Sequence, residues 1–176
     1  SERQGIEAVK NAGIPIFNVD TPVADKDLIV TCIATDAYSA GKVLGEQLLT
    51  DYPDGGKIAP LEHPENDSAV QRVDGFLAGL GESADKYEIV ARQNCGSALD
   101  QSLTITEDIV MANPDIDAIF CVNGTSGMGC VAALKEHNLD GKIGVYCIDA
   151  SPDNKAEMVE GSLKGVAAQC PKVIAV

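Results

Sequence analysis

The run Asn113-Pro114-Asp115-Ile116-Asp117-Ala118-Ile119-Phe120-Cys121-Val122-Asn123-Gly124 decides how the rest of this chain is read. Asn-Pro-Asp is a turn, and the apolar residues Ala118–Val122 that follow have the length of a strand. Asn123 then stands at the carboxyl end of that strand, and Gly124 opens a helix with Met128, Val131 and Leu134 at helical spacing. The same order recurs in both directions. Downstream, Ile143–Ile148 is a strand followed by Asp149, and Ser151-Pro152-Asp153 starts a helix with Ser as cap and Pro at the first position. A final strand near Leu163–Ala168 ends on Gln169.

Upstream, Lys57–Leu61 and Tyr87–Ala91 read as strands. Their helices carry Val73, Phe76, Leu77 and Leu80, then Leu99, Leu103, Thr106 and Val110. From Asp36 a helix shows Ala40, Val43, Leu44 and Leu48 on one face and ends before Tyr52-Pro53-Asp54-Gly55-Gly56. The first stretch holds a helix over residues 2–12, stopped by Gly13, and strands at Ile14–Val19 and Leu28–Ile33.

Strands alternating with helices imply crossover units and a doubly wound parallel sheet, an α/β fold covered on both faces. Residues 36–169 have enough units for a complete domain, whereas residues 1–35, with one helix and two strands, are too few for a core of their own. Residues 170–176 lead out of that domain, and both ends of the chain read as cut. In an open sheet of this kind ligands collect at the carboxyl ends of the strands.

The 176 residues carry 13 Lys and Arg against 27 Asp and Glu, a formal net charge of −14. A field of that sign repels phosphate backbones and anionic lipid, so nucleic acid and membrane surfaces are not expected partners. The longest apolar runs are strand-sized, far below the ~20 residues that cross a bilayer. No basic start followed by an apolar stretch marks a secretion signal, so any such leader is expected to be already missing. The six cysteines lack metal-ligand spacing; Cys121 and Cys147 occupy like positions on two strands, yet buried free thiols are the expected state.

No metal or cofactor is expected. Asp25-Lys26-Asp27 is too short for a calcium loop, and Gly124, Gly127 and Gly129 have the wrong spacing for a dinucleotide loop. His63 and His137 are isolated and read as surface residues; Asn66-Asp67-Ser68 and Asn123-Gly124-Thr125 fit the N-glycosylation pattern, a three-residue match that arises easily by chance. An enzyme is not expected, because phosphate loop, nucleophile elbow and catalytic triad are all lacking from the pattern.

The polar groups at the strand ends form a consistent set: Asp20, Asn123, Asp149 and Gln169, with Arg72 placed at the start of a helix. Carboxylates accept from hydroxyls, a guanidinium donates in a fixed fork, and amides do both, which suits a neutral polyol.

Those residues also carry a resemblance. The segment from Ala12 through Ile14-Pro15 to Asp20, the stretch Ile33-Ala34-Thr35-Asp36, and Arg72-Val73-Asp74-Gly75-Phe76 resemble segments of the ribose-type periplasmic binding proteins of ABC transporters. So do Asn113 to Asn123, Gly129 to Leu134, Ile148-Asp149-Ala150-Ser151-Pro152, and Gly161-Ser162-Leu163 to Gln169-Cys170-Pro171, in the same order along nearly the whole chain. Thr21 stands where ribose-reading members often have Arg, Gly124 where they tend to have Asp, and Ser97 where several place an aromatic ring.

The resemblance implies two lobes that close on one solute. Residues 1–35 would be part of the N-terminal lobe, 36–169 the C-terminal lobe, and 170–176 the start of a return to the first. Asp20, Arg72, Asn123, Asp149 and Gln169 would bind ligand, with Asp36 and Gln169 at hinge crossings. The expected partners are a small sugar or polyol and a membrane permease, in the periplasm or another extracytoplasmic space, with a lipid anchor in a Gram-positive bacterium. The alternative implied by the same fold is the effector domain of a lactose-repressor-type transcription regulator. Against it, Asp54-Gly55-Gly56-Lys57 lacks the His that such domains commonly carry there.

Overall fold

The computed structural model describes residues 2–170. By their contacts these residues divide into two units: Ala37–Gln169, and the described residues up to Asp36 together with Cys170.

The smaller unit holds helix α1 (Glu2–Asn11) and strands β1 (Phe17–Val19) and β2 (Thr31–Ile33), paired in parallel with Phe17 opposite Thr31. Both strands are shorter than the sequence suggests. Pro15 has no N–H to give a ladder, so the first strand starts after it. Lys26–Leu28 closes a 3-10 turn through Leu28 N–H to the Asp25 carbonyl at 3.1 Å, which delays the second strand to Thr31.

The larger unit is α/β. Its elements run α2 (Ala37–Asp51), β3 (Gly56–Glu62), α3 (Asp67–Gly79), β4 (Tyr87–Ile89), β5 (Gln93–Asn94), α4 (Leu99–Ala112), β6 (Ala118–Cys121), α5 (Gly124–Glu136), β7 (Gly144–Ile148), α6 (Pro152–Glu160) and β8 (Gly165–Ala167). All pairings are parallel, in the spatial order β4-β3-β6-β7-β8, with β5 also on β3. The strand expected over Tyr87–Ala91 is interrupted. The register slips by one residue between the pairs Ile58–Ile89 and Leu61–Gln93, so a bulge separates β4 from β5.

The two faces of the sheet follow from strand alternation. Phe120 and Tyr146, opposite each other on β6 and β7, face α3, where Phe76 stacks on Phe120 at 4.3 Å between ring centroids. Cys121 and Cys147, the next pair in register, face the other way, towards α5: a Cβ on Gly127 would come within 2.9 Å of Cys147 Sγ. The two thiols are buried and unbonded, and all six cysteines are free. Burial pushes the Cys147 thiol up to about 12, with the charge of Asp149 adding to the effect.

On α2 the buried stripe is Gly41, Leu44, Gly45 and Leu48, while Val43, expected on that face, is 58% exposed. The helix turns its glycines inward because α3 packs so closely that Cβ atoms on Gly41 and Gly75 would each lie 2.0 Å from a backbone carbonyl oxygen, of Arg72 and Tyr38 respectively. Leu99, likewise expected on a core face, is exposed, whereas Thr106 and Val110 are buried as expected, with Ser102 and Ile109 beside them on α4. The expected departure of residues 170–176 lies, beyond Cys170, outside the described residues.

Candidate polar ligand site at the strand ends

The carboxyl ends of β6, β7 and β8 bring Asn123, Asp149 and Gln169 to one edge of the sheet, each immediately or shortly after its strand. Asn123 caps α5. Its Oδ1 accepts from Ser126 N–H at 2.9 Å while Ser126 Oγ accepts from Asn123 N–H at 3.2 Å, a reciprocal capping box. The Gly124–Gly129 stretch is therefore an ordinary helix entry. Asn123 Nδ2 donates to the Ser97 carbonyl at 3.3 Å, tying β6 to the loop after β5.

Asp149 takes a left-handed backbone, φ 84°, unusual for a non-glycine residue. Its N–H donates to Ala167 of β8 at 2.9 Å. Its carboxylate accepts from Gln169 Nε2 through Oδ1, and Oδ2 lies 3.5 Å from Gly124 N–H at the start of α5. Arg72 enters from α3. The helix begins at Asp67, capped by Asn66 Oδ1 from Ala69 N–H at 3.0 Å, so Arg72 lies in its second turn rather than at its start. Arg72 Nη1 donates to the Val122 carbonyl at 2.9 Å, whereas its Nε is buried with no hydrogen-bond partner.

One continuous path thus links Arg72 to Val122, Asn123 and Gly124, then to Asp149 and Gln169, all inside the larger unit. Asp20 belongs to the smaller unit. It follows β1, is exposed, adopts φ 76°, and donates its N–H to the Ile33 carbonyl at 3.0 Å. Asp36 and Gln169 each end a stretch at a boundary of the two units.

The charges within the path are one guanidinium and one carboxylate, so the edge is balanced for an uncharged ligand. Fork donors on Arg72 and acceptor capacity on Asp149 can engage hydroxyl groups.

Two neighbours, His63 and Asn154, are not among the site residues that the sequence pattern picks out. His63, expected on the surface, is half-buried, with Nδ1 2.9 Å from Ser97 Oγ. Ser97 itself sits at φ 58° and supplies the carbonyl that Asn123 bonds. The signal was available: His63 follows Glu62 of β3, so the strand-end rule includes it. Asn154, in the first turn of α6 and fully buried, was missed for lack of any motif.

The model of the periplasmic binding protein domain family matches residues 3–175. Among curated proteins, the ribose import binding protein of Escherichia coli K12 is 27% identical over 172 residues, covering 96% of this chain and 56% of that protein. Among solved structures, an ABC transporter periplasmic solute binding protein from Actinobacillus succinogenes with bound D-allose matches at a TM-score of 0.88 and 28% identity, over 97% of this chain and 62% of that one. The Caulobacter myo-inositol binding protein, bound to myo-inositol, matches at 0.81 and 27%, over 90% of this chain and 55% of that one. This chain therefore spans less than two thirds of the length of these relatives.

Proposed function

Because this chain belongs to the periplasmic binding protein domain family, we propose that it forms part of the solute-binding component of an ABC importer, taking up a small sugar or polyol and delivering it to a membrane permease. The observation that carries the reading is the hydrogen-bonded path from Arg72 through Asn123 to Asp149 and Gln169 at the strand ends. It offers paired donors and acceptors of nearly cancelling charge, the chemistry a neutral polyhydroxy ligand needs. Arg72, Asn123, Asp149 and Gln169 are assigned ligand contacts on that basis. Asp20 is assigned one on the sequence pattern alone, as are the hinge roles of Asp36 and Gln169.

The relatives favour import over transcriptional regulation: one is named as an import binding protein and one as an ABC transporter binding protein, and D-allose or myo-inositol is bound in two of the three. The protein would bind without chemistry of its own and act outside the cytoplasm, in the periplasm, or on a lipid anchor in a Gram-positive host. The test is a thermal-shift screen of the full-length protein against D-ribose, D-allose, L-arabinose and myo-inositol, followed by calorimetry. At least one should raise the melting temperature and bind with a Kd of about 1 μM or tighter. A shift produced only by charged metabolites, with none from neutral sugars or polyols, would overturn the reading.

A further inference from the structure

We infer that Asn154 is a positioning residue for Asp149, and through it for ligand capture; the second half of that statement rests on the sugar-binding reading above. Asn154 is fully buried in the first turn of α6. Its Nδ2 donates to the Asp149 carbonyl at 2.6 Å and lies 3.8 Å from Cys147 Sγ. Its Oδ1 is buried and accepts no hydrogen bond. A buried amide with one end unsatisfied is costlier than an apolar side chain of similar size. The amide at this place is thus explained by what its donor end does, not by packing.

What it does is hold a backbone conformation. Asp149 at φ 84° would relax towards the ordinary region unless its peptide groups were restrained. Its N–H is fixed by the Ala167 carbonyl, and its carbonyl is fixed by Asn154. Those two bonds aim the carboxylate at Gln169 Nε2 and at Gly124 N–H. If the Asn154 bond is lost, φ and ψ of Asp149 are released together, and a relaxation of φ with the N–H still held by Ala167 swings Cβ and the carboxylate away from both partners.

A second observation shows that the site is built around this amide. A Cβ on Gly124 would stand 2.2 Å from Asn154 Nδ2, so position 124 takes only glycine while the amide is in place. Gly124 and Asn154 are a fitted pair, one side-chain-free so that the other can reach Asp149.

The experiment compares the full-length protein with its Asn154→Ala, Asn154→Asp and Gly124→Ala variants. The readouts are Kd for D-ribose, D-allose, L-arabinose and myo-inositol, melting temperature, and crystal structures of the variants. Asn154→Asp keeps the volume but not the donor, and Gly124→Ala pushes the native amide aside, so the answer does not depend on the alanine variant folding. Each should weaken the best-binding sugar by roughly tenfold, with Asp149 leaving positive φ or losing Gln169. Folded variants with Kd within about twofold of the parent and Asp149 unmoved would overturn the inference, as would a lowered melting temperature with unchanged Kd. If the parent binds none of the four sugars, the sugar-binding reading fails. The backbone of Asp149 in the variant structures then still decides whether Asn154 positions it.

Discussion

Arg72 Nη1 donates to the carbonyl oxygen of Val122 at 2.9 Å, which fastens the second turn of α3 to the end of β6 one residue before Asn123. The guanidinium is therefore held by the scaffold: one arm is spent on the Val122 carbonyl, which gives the remaining donors a fixed direction. Pre-aimed donors lose less side-chain freedom on binding than a mobile cation would.

If Arg72 contacts ligand as proposed, Arg72→Ala in the full-length protein should weaken ligand binding by ~2–4 kcal/mol, because it removes a charge-assisted donor. Arg72→Lys should recover only part of this, since an ammonium cannot serve the Val122 carbonyl and a ligand hydroxyl with the same fork geometry. Calorimetry on both variants checks the point. Unchanged affinity in Arg72→Ala would remove Arg72 from the site.

The seam between α2 and α3 sets where Arg72 stands. Gly41 on α2 faces the Arg72 carbonyl oxygen, and Gly75 on α3 faces that of Tyr38, each with room for a hydrogen only. Gly75→Ala should cost ~1–3 kcal/mol of stability by overpacking, since backbone rather than a movable side chain blocks the added methyl. The helix that yields carries Arg72 with it, so ligand affinity should fall in the same variant. Urea unfolding and calorimetry measure the two effects. A melting curve identical to that of the parent would show that the seam opens without cost.

Most of the scaffold was legible because each β-α repeat announces itself: an apolar run, a polar residue at its end, then helical spacing. That rule picks out Asn123, Asp149 and Gln169 as strand-end residues, and the structure brings them to one edge with Arg72. The misses have physical causes. Val43 has the right spacing for the core but loses to Gly41 and Gly45, because helix contact this close selects for small size over hydrophobicity. Asn154 is silent in sequence, since an asparagine in a first helical turn ordinarily faces water. His63 was read by its isolation in sequence, although its place after β3 brings it to Ser97.

The alkaline limit of stability should depend on Cys147. Its thiol is pushed up to about 12, first by burial, then by the negative charge of Asp149, then by Cys130. In the unfolded chain the same thiol titrates near the ordinary value of 9.0. Below pH 9 both states keep the proton, and the group contributes no slope. Between pH 9 and about 12 the unfolded chain sheds a proton that the native state holds, so stability falls as pH rises. Cys121 acts in the same direction, being raised by burial and by the neighbouring Cys130. Urea unfolding at pH 8, 9, 10 and 11 tests the assignment, with Cys147→Ala as the variant. The parent should lose roughly 2 kcal/mol more than the variant between pH 9 and 11, because the variant has no thiol to ionise when it unfolds. The limb should flatten without vanishing, since Tyr146, raised chiefly by burial and then by its 2.6 Å hydrogen bond to Asp51, and Cys121 remain. Parallel pH profiles for parent and variant would place the alkaline loss elsewhere in the larger unit.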